Sequence, residues 1–308
     1  MADSILFSLG ANQSVDEAVL RTISYVGALV LECHEVEPAQ KFIKGHCDLL
    51  DIHCDCTSIS SLDKIISLLD SGCTNVIISE TTLAALAEEG FTQEHLARLT
   101  LCLEYVSLGE DGGVDETIDR IIGKYGHRVH GGLNLLFHAR SLSRVQERVK
   151  GLGVQNKCLF KLTGDPGDEV YHAVKRGFRV ILPSTSVSAH KEALGIKPYI
   201  SSFVTKVIRS DRPDGLFPTV VTDESGLSLG LVYSSIESIE KAMLLGRGVY
   251  FSRSRDGLWI KGEESGNVQE LRKISIDCDA DALQFTVRQI GDGNYYLRCC
   301  WLPLLMYT

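Results

Sequence analysis

Over roughly the first two hundred residues, short apolar runs alternate with amphipathic segments, and this rhythm restricts the chain to a mainly parallel sheet covered by helices. ILFSLG reads as a strand, and Ser14-Val15-Asp16-Glu17 reads as a capping box opening a helix through about Val30. CDLLDIHCDC is a candidate strand, followed by a helix over SSLDKIISLLDSG. NVIIS, TLAALAEEG, RLTLCLEYVSL, VDETIDRIIGKYG, HGGLNLLFHA, SLSRVQERVKGLG, CLFKLTG, DEVYHAVKRG and FRVILPS continue the alternation. The expected architecture is an α/β N-terminal domain of βα repeats, barrel-like or a partial barrel, over residues 1–205. Pro183 to about Arg212 forms the connection to a second domain.

That second domain, residues 206–292, is expected to be a smaller α+β unit. TVVTD and LSLGLVYS around Ser225-Gly226 suggest a hairpin. Ser234-Ser235-Ile236-Glu237 suggests a second capping box, with Ile236, Ile239 and Met243 on one helical face and Gly246 as the stop. KISIDCD and ALQFTVRQI add two more strands, and residues 293–308 form a divergent apolar tail.

Composition narrows the function classes. A net charge of −9 argues against general nucleic-acid binding, which requires a basic face. No apolar run reaches the length of a membrane span. Ten cysteines without a signal peptide imply reduced thiols and a cytoplasmic location. His46, Cys47, His53, Cys54 and Cys56 lack the paired spacing of a zinc ribbon and are read as packing residues. Asp165, Asp168 and Glu169 in LTGDPGDE follow a strand, where active sites of α/β barrels commonly lie, but turn chemistry explains them equally well. His127 and His130 beside Gly131 and Gly132 have no nucleophile partner in the pattern.

The chemistry concentrates between Tyr250 and Leu283. On an extended strand Asp277, Asp279 and Asp281 share one face, while Cys278 points the other way with Ile274 and Ile276. Carboxylates about 7 Å apart in such a row repel by roughly 2 kcal/mol per pair at an effective dielectric of 20. A divalent cation would relieve that repulsion, and so would water on a solvated acidic edge. An EF-hand is excluded by Ala282 and Arg288 at the loop positions that require Gly and Glu. Upstream, Arg253, Arg255, Trp259, Lys261, Glu263, Ser265, Gly266 and Asn267 form either a loop that grips an anionic, planar ligand or a solvated basic turn.

Taken together, SRSRDGLWIKGEESGNVQ and DCDADAL resemble phosphoribosyl-AMP cyclohydrolase of histidine biosynthesis, in the form found at the front of fungal multifunctional histidine proteins. The resemblance runs from about Arg209 to Gln289. It implies a zinc- and magnesium-dependent hydrolase that opens the adenine ring of phosphoribosyl-AMP between N1 and C6, with hydroxide supplied at the zinc. It also implies a homodimer with substrate sites at the interface. By resemblance, Asp277, Asp279 and Asp281 hold magnesium and Cys278 is a zinc ligand. Arg253, Arg255, Lys261, Glu263, Ser265, Gly266 and Asn267 line the substrate pocket, with Arg253 and Arg255 as phosphate contacts and Trp259 as a packing wall. The phrase LLDSGCTNVIIS is similar to the helix-Gly-strand joints of phosphosugar isomerase barrels.

The family places two further zinc ligands shortly after the triplet, in a Cys-His segment followed by Ser-Cys and an aromatic. Here that segment reads GDGNYYLRCCWLPLLMYT. Cys300 with Trp301 imitates its second half, the first cysteine falls near Gly293, Cys299 is a poor replacement, and no histidine follows His190. The tail predicts a product truncated after its first activity, through a splice or gene-model ending near Gly293. The alternative expectation is a catalytically inactive product that keeps nucleotide or Mg²⁺ binding.

Overall fold

A computed structural model describes residues 5–11, 15–88, 93–103, 114–139, 143–162, 169–182, 189–192, 195–198 and 207–291. The chain divides into two compact units, the first built on residues 3–23 and 27–188 and the second on residues 189–308 with 1–2 and 24–26.

In the first unit the expected alternation closes completely. Strands β1 (Ile5–Gly10), β2 (Ala28–Glu32), β3 (Ile52–Asp55), β4 (Asn75–Ile78), β5 (Leu99–Leu103), β6 (Asn134–Ala139), β7 (Cys158–Leu162) and β8 (Arg179–Leu182) form a closed parallel barrel. Closure is made by β8 pairing back on β1, with Ile181 opposite Leu6. Between the strands run helices α1 (Glu17–Val26), α2 (Val36–His46), α3 (Leu62–Asp70), α4 (Glu80–Glu88), α5 (Gln93–Ala97), α6 (Val114–His130), α7 (Ser143–Gly151) and α8 (Glu169–Lys175). Leu6, Ala28, Val30, Ile77, Cys102, Leu136, Leu159 and Ile181 meet as one buried cluster, which uses alternate positions of the strands in the manner of a filled barrel.

Two expectations change at the first βα unit. The N-cap of α1 is Asp16, whose carboxylate accepts from the Ala18 N–H at 2.8 Å, and Ser14 lies outside the described residues. The helix stops at Val26, and Ala28–Glu32 is the second strand. A run such as ALVLE, buried from Ala28 to Leu31, carries no period that separates helix from strand, so it reads as a continuation of the helix before it. Helix α2 is an element the sequence reading passed over.

Charge in the barrel gathers at the carboxyl ends of the strands. The Ser8 hydroxyl donates to Glu32 Oε1 at 2.6 Å, and Lys161 Nζ lies 3.8 Å from Glu32 and 3.5 Å from Asp55. The packing reading of Cys54 and Cys56 agrees with their full burial. A hydrogen bond to Cys73, then burial, raises the Cys54 ionisation well above the usual thiol range, and a hydrogen bond to Cys33, then burial, does the same for Cys56.

The second unit holds a hairpin of β9 (Ala189–Glu192) and β10 (Gly195–Pro198), inside the stretch expected to be a connection. Its main body is a six-stranded sheet in the order β14-β13-β12-β11-β16-β15. These strands are β11 (Phe217–Thr222), β12 (Ser228–Ser234), β13 (Val249–Ser252), β14 (Gly257–Ile260), β15 (Val268–Ile276) and β16 (Leu283–Ile290). Pairing is antiparallel except for β11 with β16, in keeping with the α+β expectation. Helix α9 (Ile236–Leu245) begins at Ser235, and its capping box closes with Ser238. Ile239 and Met243 are buried as expected, whereas Ile236 is exposed. Gly246 ends the helix in the left-handed conformation, φ 61°.

The tightest joint of the barrel is Gly27, where a Cβ would meet the Ile5 carbonyl oxygen at 2.2 Å. Gly27→Ala is expected to destabilise the barrel by about 1–3 kcal/mol, the usual cost of overpacking. Urea denaturation should show this as a lower midpoint with an unchanged slope; an unchanged midpoint would show that the β1–β2 joint yields freely.

Candidate functional site

The β15–β16 connection carries the acidic triplet, and its geometry differs from the extended row expected. Strand β15 ends at Ile276, and Asp277–Asp281 form a tight turn before Leu283. Asp277 Oδ1 accepts the Asp281 and Ala282 N–H groups at 3.1 and 3.2 Å, and the Asp277 N–H donates to the Ala282 carbonyl. Ala280 takes the left-handed conformation, φ 65°, a conformation that sequence reading assigns to Gly or Asn and not to Ala. The turn draws the three carboxylates to within 4.8 Å of one another, closer than the strand spacing assumed. Cys278 is exposed and does not join Ile274 on the buried face. Its Sγ lies 3.9 Å from Asp279 Oδ1.

The crowding has an electrostatic signature. Burial, followed by Asp277, Asp279 and Asp211, holds the Asp281 carboxyl above the usual carboxylate range. A raised carboxyl disfavours the ionised form in the folded chain, so its cost appears as pH rises through that range and disappears on protonation. Asp223, in the β11–β12 turn, has the opposite sign. The Ser225 hydroxyl and the Ser225 and Leu227 N–H groups donate to it, its carboxyl is lowered, and its contribution is lost as pH falls.

The predicted substrate residues fall into separate places. Arg253 and Arg255 occupy the β13–β14 turn, and both are exposed. Arg255 Nη1 lies 3.5 Å from Glu264 Oε1, which ties that turn to the β14–β15 loop. That loop holds Lys261, Glu263, Ser265, Gly266 and Asn267. It is pinched at Gly262, φ 89°, where a Cβ would stand 2.5 Å from the Asn267 carbonyl oxygen. Trp259 on β14 tilts against buried Tyr250, with ring centroids 6.0 Å apart, and Lys261 Nζ lies 5.2 Å from its ring centroid. The loop therefore ends where β15 begins, whereas the acidic turn follows its last residue. Nine extended residues, about 30 Å, separate Asn267 from Asp277. Cys299, Cys300 and Gly293 lie outside the described residues.

Two residues missed by sequence reasoning connect these places. Arg209–Leu216 packs against the acidic turn through the Arg209 N–H, which donates to the Ala280 carbonyl at 3.0 Å. From this segment Arg212 reaches the ring of Tyr233 on β12, 4.9 Å from its centroid. Arg253 stacks on the same ring at 3.9 Å. Residues 212, 233 and 253 form no local motif, and only the folded sheet brings them together.

The family described as phosphoribosyl-AMP cyclohydrolase matches residues 230–300, through the segment that contains Cys299 and Cys300. The histidine biosynthesis trifunctional protein of Neurospora crassa is 34% identical over 92% of this chain, which spans 31% of that protein's length. The histidine biosynthesis bifunctional protein his7 of Schizosaccharomyces pombe is 30% identical over 94% of this chain and 68% of its own length. A phosphoribosyl-AMP cyclohydrolase of Desulfotalea psychrophila is 52% identical over 26% of this chain and 64% of its own.

Substitutions in the acidic turn should act with opposite signs. At 4.8 Å two carboxylates repel by roughly 1 kcal/mol in water before salt screening. Asp281→Asn is therefore expected to stabilise the chelator-treated chain by up to about 1 kcal/mol at low salt, a gain that shrinks at about 0.5 M salt. Asp277→Ala, which removes the acceptor of two backbone N–H groups, is expected to cost about 1–2 kcal/mol. Thermal unfolding in EDTA checks both; loss of stability in both variants would refute the repulsion.

Proposed function

This chain belongs to the multifunctional histidine biosynthesis proteins, and from that membership we propose that its second unit hydrolyses phosphoribosyl-AMP, opening the adenine ring between N1 and C6. The observation that carries the reading is the acidic turn inside the matched segment, with three carboxylates within 4.8 Å. Hard oxygen donors at that spacing fit a magnesium ion held by Asp277, Asp279 and Asp281. The exposed thiol of Cys278 fits one position of a zinc site. Among the described residues it is the one thiol beside the acidic turn, which leaves Cys300 and Cys299 as the candidates for further zinc ligands. Zinc, when bound, supplies a Lewis acid that makes hydroxide available near neutral pH.

The chain's own side chains bind and orient. Arg253 and Arg255 present forked donors suited to phosphate oxygens, Lys261 adds a point charge, and Glu263, Ser265 and Asn267 offer polar groups around Gly266. The distance along β15 bears on assembly. Asn267 and Asp277, at opposite ends of one strand, do not meet in a single copy, and a homodimer with shared sites would bring one copy's loop to the other's acidic turn. An apolar pair supports that assembly. Val220 and Leu231 face each other across β11 and β12 and remain 41% and 57% exposed. The described cysteines are thiols, which suits a reducing compartment, the cytoplasm.

Turnover of phosphoribosyl-AMP by the 308-residue chain, with Zn²⁺ and Mg²⁺ supplied, is expected and should be abolished by EDTA. Cys278→Ser should remove tight zinc, whereas Asp279→Asn should weaken the Mg²⁺ dependence on the order of tenfold or more and leave zinc content unchanged. Equal loss of both metals in both variants would defeat the two-metal reading, and a folded, metal-loaded chain without turnover would defeat the hydrolase reading. Leu231→Glu should yield a monomer in sedimentation; a dimer that survives it would place the interface elsewhere.

A further inference from the structure

The ring of Tyr233 receives two guanidinium groups, at 3.9 Å from Arg253 and 4.9 Å from Arg212. Stacking uses the flat face of a guanidinium and leaves its N–H edge directed outward. Arg253 makes no ion pair among the described residues, so its full fork of donors is presented. Arg212 is fixed more firmly. Its Nε and one terminal nitrogen donate to the two oxygens of Asp214 at 2.9 and 2.7 Å. The segment around it is braced by the Ser210 hydroxyl, which donates to the Leu216 carbonyl at 2.7 Å and accepts the Arg212 N–H at 3.2 Å. A half-buried tyrosine thus holds an exposed guanidinium, without an ion pair among the described residues, beside a second one. Of the two arginines Asp214 engages Arg212 alone, so the guanidinium of Arg253 on the same ring keeps its charge and donors for a phosphate oxygen.

We propose that Tyr233 is a positioning residue that holds Arg253, with Arg212 beside it, as a clamp for a phosphomonoester of the nucleotide substrate. The proposal rests on the cyclohydrolase reading for its ligand, and on the ring geometry alone for its mechanism. Pre-stacking removes rotamer freedom from Arg253 before the ligand arrives, and that freedom would otherwise be lost on binding. Through the Arg209–Ala280 hydrogen bond, Arg212 also sets the clamp in register with the acidic turn.

The test is calorimetric titration of the full chain with adenosine 5′-monophosphate and, separately, with adenosine, alongside KM and kcat for phosphoribosyl-AMP. Tyr233→Leu should weaken binding of the monophosphate about two- to fivefold, the worth of an exposed cation–π contact, and leave adenosine unchanged. KM should rise by a similar factor with kcat preserved, since the interaction is made before and during the reaction alike. Tyr233→Phe, which keeps the ring face, should behave as the unsubstituted chain. Arg253→Ala, at an exposed position where folding is not at stake, should lose at least as much affinity as Tyr233→Leu. Phe and Leu variants that bind alike would overturn the clamp, as would an equal loss for adenosine or no binding of the monophosphate to the unsubstituted chain. A chain without turnover whose monophosphate affinity still follows the ring would keep the clamp and sink the hydrolase reading. Turnover with a KM indifferent to Tyr233→Leu would do the reverse.

Discussion

Asp277 performs two tasks that oppose each other. As an acceptor for the Asp281 and Ala282 N–H groups it builds the β15–β16 turn, and as an anion it stands within 4.8 Å of two further carboxylates. In water each carboxylate pair costs roughly 1 kcal/mol before salt screening, the same order as each of the hydrogen bonds that hold the turn. A turn built this way is held by backbone hydrogen bonds yet remains electrostatically unsatisfied. Strands β15 and β16 provide the rigid base, and the Arg209 segment is hung on the Ala280 carbonyl inside the turn. That segment carries Arg212 to the ring of Tyr233, which the sheet itself positions.

The two units divide the physics between them. The barrel buries apolar layers inside a ring of parallel strands and carries a charge cluster at the strand ends, where Lys161 is shared by Glu32 and Asp55. In the smaller sheet, the ring of Tyr233 carries two guanidinium groups that packing does not enclose. Tyr250 illustrates the contrast. It is fully buried between Trp259 and Phe285, its hydroxyl donates to Gln269 at 2.8 Å, and burial raises its ionisation well above the usual phenol range.

Much of the fold was legible because periodicity is local. Nearly every strand of the barrel lies inside a segment that reads as a strand, but ring closure was not legible, since the pairing of Ile181 with Leu6 depends on residues that no local pattern relates. The run ALVLE misled because a strand buried on both faces has no alternation to display. At the site, residue types were readable and geometry was not. Asp277, Asp279 and Asp281 were assigned to a strand because nothing in the pattern predicts an alanine in the left-handed region at Ala280. Tyr233 and Arg212 were passed over because an isolated tyrosine and arginine carry no signal until the sheet sets them beside Arg253.

On the proposed dimer, the length of β15 would have a genetic consequence. If the two halves of each site come from different copies, a chain defective in the acidic turn and a chain defective in the Ser265–Asn267 loop are not equivalent failures. In a mixed pair, one site would collect both lesions while the other would have neither. Two alleles, each inactive alone, would then restore roughly a quarter of full activity when random pairing makes half of the dimers mixed. Two lesions at the same end of β15 would never complement.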